Sequence, residues 1–79
     1  MGTKAQHDPA YRRLCKLLRE WRLQADLTQR ELARKLKRPH SFVYKTETGN
    51  RRIDPVEMVR WCKACGVGPS EAIMRVAGK

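Results

Sequence analysis

A chain of 79 residues, 41% apolar and 33% charged, is sized for one small soluble domain and is too apolar for a disordered segment. Its 18 Lys and Arg against 8 Asp and Glu leave a formal charge of +10, a field that attracts a polyanion, nucleic acid before any other. A membrane span needs roughly 20 mostly apolar residues. The longest stretch without a charge, Ala64 to Ser70, is broken by Gly66, Gly68 and Pro69 and excludes one.

The charge is unevenly placed. Residues 1–52 hold 14 basic and 5 acidic side chains, whereas residues 53–79 hold 4 and 3. The bland alternative is a basic surface that is only solvated. Cys15, Cys62 and Cys65 are an odd count, and the polar start from Met1 to Pro9 has no signal-peptide pattern. A reducing cytoplasm with free thiols is therefore expected. Residues 1–7 are expected to be a loose tail, whose Lys4 can brush a phosphate, and residues 8–79 one domain.

In chain order the pattern is helical throughout, with no alternating run of strand length and no Asn-Gly or Asp-Gly hairpin turn. The first helix starts at Asp8-Pro9, a cap followed by a proline tolerated in the first turn. Leu14, Leu17, Leu18, Trp21 and Ala25 recur at helical spacing, and the segment ends near Gln24 to Asp26. The second opens with Thr28-Gln29-Arg30-Glu31, a capping box. Leu32, Ala33 and Leu36 form its inner face, and Lys37-Arg38-Pro39 interrupts it, since the residue before proline avoids helical dihedrals. The third runs from about His40 to Thr48, with Val43 inward and Gly49 placed for a left-handed end. The fourth starts at Asp54-Pro55-Val56-Glu57. It puts Met58, Val59, Cys62 and Cys65 on one face, with Trp61 at its edge, and Gly66 closes it. Gly68-Pro69-Ser70-Glu71 begins a short last helix carrying Ile73, Met74 and Val76. The fold expected is all-α, a compact set of five helices. The second and third, each about nine residues long and about three or four apart, have the dimensions of a helix-turn-helix.

Three segments carry a family resemblance: Leu27-Thr28-Gln29-x-Glu31-Leu32-Ala33, then Pro39-His40-Ser41-Phe42-Val43-x-Lys45-x-Glu47-x-Gly49-x-Arg51-Arg52, then Cys62-Lys63-Ala64-Cys65-Gly66-Val67. Together they resemble the phage-repressor or Cro type, often called the xenobiotic-response-element (XRE) family, without a gap over about residues 14–76. The resemblance implies a five-helix DNA-binding domain that regulates transcription, usually as a symmetric dimer. Its third helix would enter the major groove and meet base edges with its N-terminal end. Carried over by position, His40, Ser41, Tyr44 and Lys45 face the groove. Gln29 would hold a phosphate and brace the recognition helix, and Arg51 and Arg52 would hold the backbone. Arg22 and Glu47 would form a partly buried ion pair tying the first helix to the third. The chain departs from the family at His40, where Gln is common, at Tyr44, where a small residue is frequent, and at Thr46, which replaces a larger apolar residue. Asp26 and Lys37 each replace a usual Gly. Asp tolerates a left-handed backbone at some cost. Lys tolerates it less well, so the turn after the second helix is expected to be built differently here.

Each assignment has a plainer counterpart. Gln29 can be a solvated first-turn residue, although a helix N-terminus suits phosphate. Ser41 and Lys45 share a face, which is either a groove contact or only solvated. Tyr44 can stack or touch a phosphate, and Phe42 reads as packing. Ile73, Met74 and Val76 offer apolar surface on a segment too short to bury all of it. They are the expected dimer contact, or they cap the core. Cys62 and Cys65 look like a metal or redox pair in isolation. Zinc needs about four ligands, and only Cys15, His7 and His40 remain beside the carboxylates, so both sulfurs are expected in the core. No metal, cofactor or enzyme activity is expected, because no nucleophile-base set, carboxylate pair or glycine-rich phosphate loop is present. The expected function is a cytoplasmic, sequence-specific regulator of double-stranded DNA, a repressor acting as a homodimer. The alternatives are an antitoxin that represses its own operon and grips a toxin, and a basic protein-interaction module.

Overall fold

The computed structural model describes residues 8–78. The expected tail, with Lys4, lies outside the described residues. Five helices follow one another: α1 (Pro9–Gln24), α2 (Gln29–Leu36), α3 (His40–Thr48), α4 (Pro55–Ala64) and α5 (Pro69–Val76). No strand occurs among the described residues.

The boundaries follow local chemistry. The Asp8 carboxylate accepts from the backbone N–H groups of Ala10 and Tyr11 at 2.9 and 3.4 Å and starts α1. Thr28 and Glu31 form a reciprocal capping box at the start of α2, with bonds of 3.0 and 2.8 Å. Asp54 and Glu57 do the same for α4, at 2.7 and 3.1 Å. Such caps satisfy N–H groups that have no partner inside the helix. Gly49, with φ at 83°, ends α3.

The turn between α2 and α3 corrects an expectation. Lys37 itself takes the left-handed conformation, φ 57° and ψ 42°, as does Asp26 at φ 61°. The glycine geometry is kept without the glycine. Two backbone bonds hold the turn there: Lys37 N–H to the Arg34 carbonyl at 3.1 Å and Arg38 N–H to that of Ala33 at 3.0 Å.

α2 and α3 pack on each other, α1 packs on α3, α4 and α5, and α4 also meets α2 and α5. The core joins Leu14, Leu17, Leu18 and Trp21 of α1 to Leu32, Val43, Met58, Trp61 and Cys62. Trp61, expected at the edge of the buried face of its helix, is 0% exposed. Its indole N–H donates to the Leu18 carbonyl at 3.2 Å, so the crossing of α4 over α1 turns the ring inward. Val59, expected on the buried face, is exposed instead. Cys15 and Cys62 are buried, and Cys65 is half-buried against the core. No group of three or more His, Cys, Asp or Glu suited to a metal occurs among the described residues.

Candidate nucleic-acid interface

α3 divides its residues cleanly. Phe42, Val43, Thr46 and Glu47 are buried, while His40, Ser41, Tyr44 and Lys45 are exposed. Buried pairs at 42–43 and 46–47 alternating with exposed pairs at 40–41 and 44–45 are the helical period read in space. The buried Thr46 hydroxyl is satisfied within the helix, donating to the Phe42 carbonyl at 2.6 Å. Four outward side chains, His40 and Ser41 in the first turn and Tyr44 and Lys45 one turn further on, thus stand on a helix whose inward side is fully engaged.

Two charged clips fix that helix. In the first, Arg22 on α1 grips Glu47 with Nε to Oε2 at 2.6 Å and a second guanidinium N–H to Oε1 at 3.1 Å. The side chains are 7% and 2% exposed, so the pair is far more buried than the sequence suggested. The third arm of Arg22 donates to the Leu27 carbonyl at 2.8 Å, and the Gln29 amide donates to Glu47 Oε1 at 3.1 Å. One carboxylate therefore ties α1 and the start of α2 to α3.

Glu57 makes the second clip, which has no counterpart in the sequence reading. It accepts from Arg38 just before α3 at 3.0 Å and from Arg51 just after it through two bonds of 2.9 Å. Both guanidinium groups lie over the ring of Phe42, at 4.1 and 4.7 Å from its centre. The hydrogen bonds from Arg51 hold the Glu57 carboxyl down at about 2, well below its usual range. The two flanks of α3 are thereby anchored on one residue at the start of α4. No run or spacing announces this triad, because its members meet only through the fold.

The remaining sequence candidates are placed as follows. Gln29 is half-buried, with its amide on Glu47. Arg51 spends most of its donors on Glu57 and on the Arg52 carbonyl, the latter at 2.8 Å. Arg52 is exposed, its guanidinium carbon 4.5 Å from the centre of the Tyr11 ring. On α5, Ile73 and Met74 are 55% and 53% exposed, whereas Val76 is half-buried against the core. The structure also exposes Arg12, Lys16 and Arg19 on α1. Their spacing of four and three is the sequence signal of a basic stripe on the side of α1 away from its apolar face. No helix among the described residues is long and apolar enough to cross a membrane.

Comparison with known proteins agrees with this geometry. The profile of a helix-turn-helix domain family matches residues 13–72. An XRE-family like protein from Pseudomonas syringae pv. tomato str. DC3000 is 41% identical, with a TM-score of 0.86 over 96% of this chain and 93% of that one. The clp gene regulator ClgR from Corynebacterium glutamicum is 25% identical, with a TM-score of 0.75 over 85% of this chain and 72% of its own. No curated protein matches the chain at a significant level. With the two-helix unit and these likenesses together, the chain belongs to the helix-turn-helix domain family, in its XRE type, the DNA-binding regulators of transcription.

Proposed function

We propose that the protein is a sequence-specific repressor that reads the major groove of double-stranded DNA with α3. The observation that carries this reading is the division of α3 into an anchored inner side and an outer set of His40, Ser41, Tyr44 and Lys45. Base edges in the major groove are distinguished by such donors and acceptors, whereas phosphates fix position. Arg52 is the main phosphate contact. Gln29 adds the amide hydrogen that Glu47 leaves over, and Arg51 adds the donors that Glu57 leaves over. One recognition helix reads only a few base pairs. Two copies on a palindromic site, their helices about 34 Å apart, extend the reading. Ile73 and Met74 supply most of the contact between copies, with Val76 behind them. The setting is the cytoplasm, where a bound dimer blocks transcription.

The test uses a duplex selected from a random pool and a scrambled control. Ser41→Ala and Lys45→Ala should each lose about 1–3 kcal/mol of affinity for the selected duplex. Ser41→Ala should change binding to the scrambled duplex much less. Equal losses on both duplexes overturn the base-reading role. Sedimentation of the complex should give two chains per selected site, and a strict one-to-one complex overturns the dimer.

A further inference from the structure

Arg12, Lys16 and Arg19 share one face of α1, spread over about 10 Å of helix at a rise of 1.5 Å per residue. All three are exposed, and their side chains make no hydrogen bond or ion pair among the described residues. They line a groove whose other wall is Glu47, Thr48 and Gly49, the C-terminal end of α3. The one acid in that groove, Glu47, is already spent on Arg22 and Gln29. Glu20 lines the neighbouring groove, with Arg13, Lys16 and Arg75.

The stripe is fastened to the segment that follows α3. Tyr11, next to Arg12, donates its hydroxyl to the Arg51 carbonyl at 3.3 Å and accepts from the Ile53 N–H at 3.0 Å. Arg52 lies over the same ring. The cations of α1 therefore begin where the expected phosphate contacts of the 51–52 segment end. None of the three side chains gives the fold a hydrogen bond or an ion pair among the described residues. Like charges four apart repel along a helix, and Arg12 stands near the positive end of the α1 dipole. Cations held together at that cost, without an ion pair and beside the end of α3, suit an extended anion.

We propose that Arg12, Lys16 and Arg19 form a track for the sugar–phosphate backbone of duplex DNA, continuing the contacts of Arg52 beyond the helix-turn-helix. The inference rests on the DNA reading above and adds a sequence-independent surface to it.

The experiment compares the parent with the triple variant Arg12→Gln, Lys16→Gln, Arg19→Gln. Binding of the selected duplex and of the scrambled duplex is measured over a salt series. Each lost phosphate contact lowers the magnitude of the log–log salt slope by about 0.9. A fall of about 2–3 is expected on both duplexes, with the ratio of the two affinities unchanged. The melting temperature should hold or rise as the like charges are removed. An unchanged slope overturns the track, and so does a lower melting temperature, which would make the stripe structural. A slope that falls only for the selected duplex also overturns it, since the cations would then act through α3. A parent protein with no salt-dependent binding to either duplex would overturn the DNA reading itself, a different outcome from a parent that binds and a variant that matches it.

Discussion

Replacing Lys37 by glycine should stabilise the protein. Lys37 ends α2 with φ 57° and ψ 42°, where its Cβ crowds the following carbonyl. That conformation costs a residue with a side chain roughly 1–2 kcal/mol. Glycine escapes the crowding but gives the unfolded chain more freedom, which offsets about 0.4–1 kcal/mol. The net gain expected is about 0.5–1 kcal/mol. Nothing else is lost in the folded state, because the Lys37 side chain is exposed and the bonds of the turn run through its backbone. In a domain of this size 1 kcal/mol moves the melting temperature by about 4–8 °C, so a rise of about 2–8 °C is expected in thermal melts followed by circular dichroism. Lys37→Ala keeps the Cβ and removes the charge, so it should melt close to the parent. Asp26→Gly, at φ 61°, should gain less, because aspartate visits this region more readily. A Lys37→Gly protein that melts at or below the parent would refute the strain argument. An equal rise in Lys37→Ala would assign the effect to charge.

Breaking the Arg22–Glu47 pair by Arg22→Ala should cost about 3–5 kcal/mol, since a carboxylate 2% exposed is left uncompensated; denaturant titration reads this directly. Acid should destabilise the fold through Glu57. Its folded value of about 2 lies below the ordinary 4.5, so the stability it adds is complete above about pH 5 and is lost as pH falls toward 2. In Glu57→Gln the decline of melting temperature across that window should be shallower. The thiols should react slowly with alkylating reagents at pH 8 in the folded protein and quickly in denaturant. Burial pushes Cys65 up to about 11 and raises Cys15 and Cys62, so little thiolate is present. Fast native labelling of Cys62 would count against the packing described.

The sequence made most of the scaffold legible because its signals are local. Asp8-Pro9, Thr28 with Glu31, and Asp54-Pro55 with Glu57 are caps whose partners lie within three residues, and each marks the end it should. Trp61 was harder. A helix drawn alone offers Met58, Val59, Cys62 and Cys65 as one face, and only the crossing with α1 decides that Trp61 turns in and Val59 out. Lys37 departs from its local preference for a related reason. Its intrinsic reluctance to go left-handed is outweighed by the packing of α2 on α3, which dictates the turn whatever residue stands there. Pairing across α1 and α3 came from family likeness, not from spacing. The Glu57 triad, which joins residues 38, 51 and 57, was invisible, because residue types so distant have no pattern until the chain is folded.

The clean division of α3 bears on how such a protein can change. Phe42, Val43, Thr46 and Glu47 hold the helix, and none of them belongs to the outward set of His40, Ser41, Tyr44 and Lys45. Substitutions in the outward set touch no anchoring bond, and surface exchanges of this kind usually stay within about 0.5 kcal/mol. Selection can therefore rewrite those four positions one at a time without a compensating change elsewhere. On the proposed reading of α3, a lineage of such domains can diversify its targets while its scaffold stays still, and a library randomised at the same four positions should return mostly folded members.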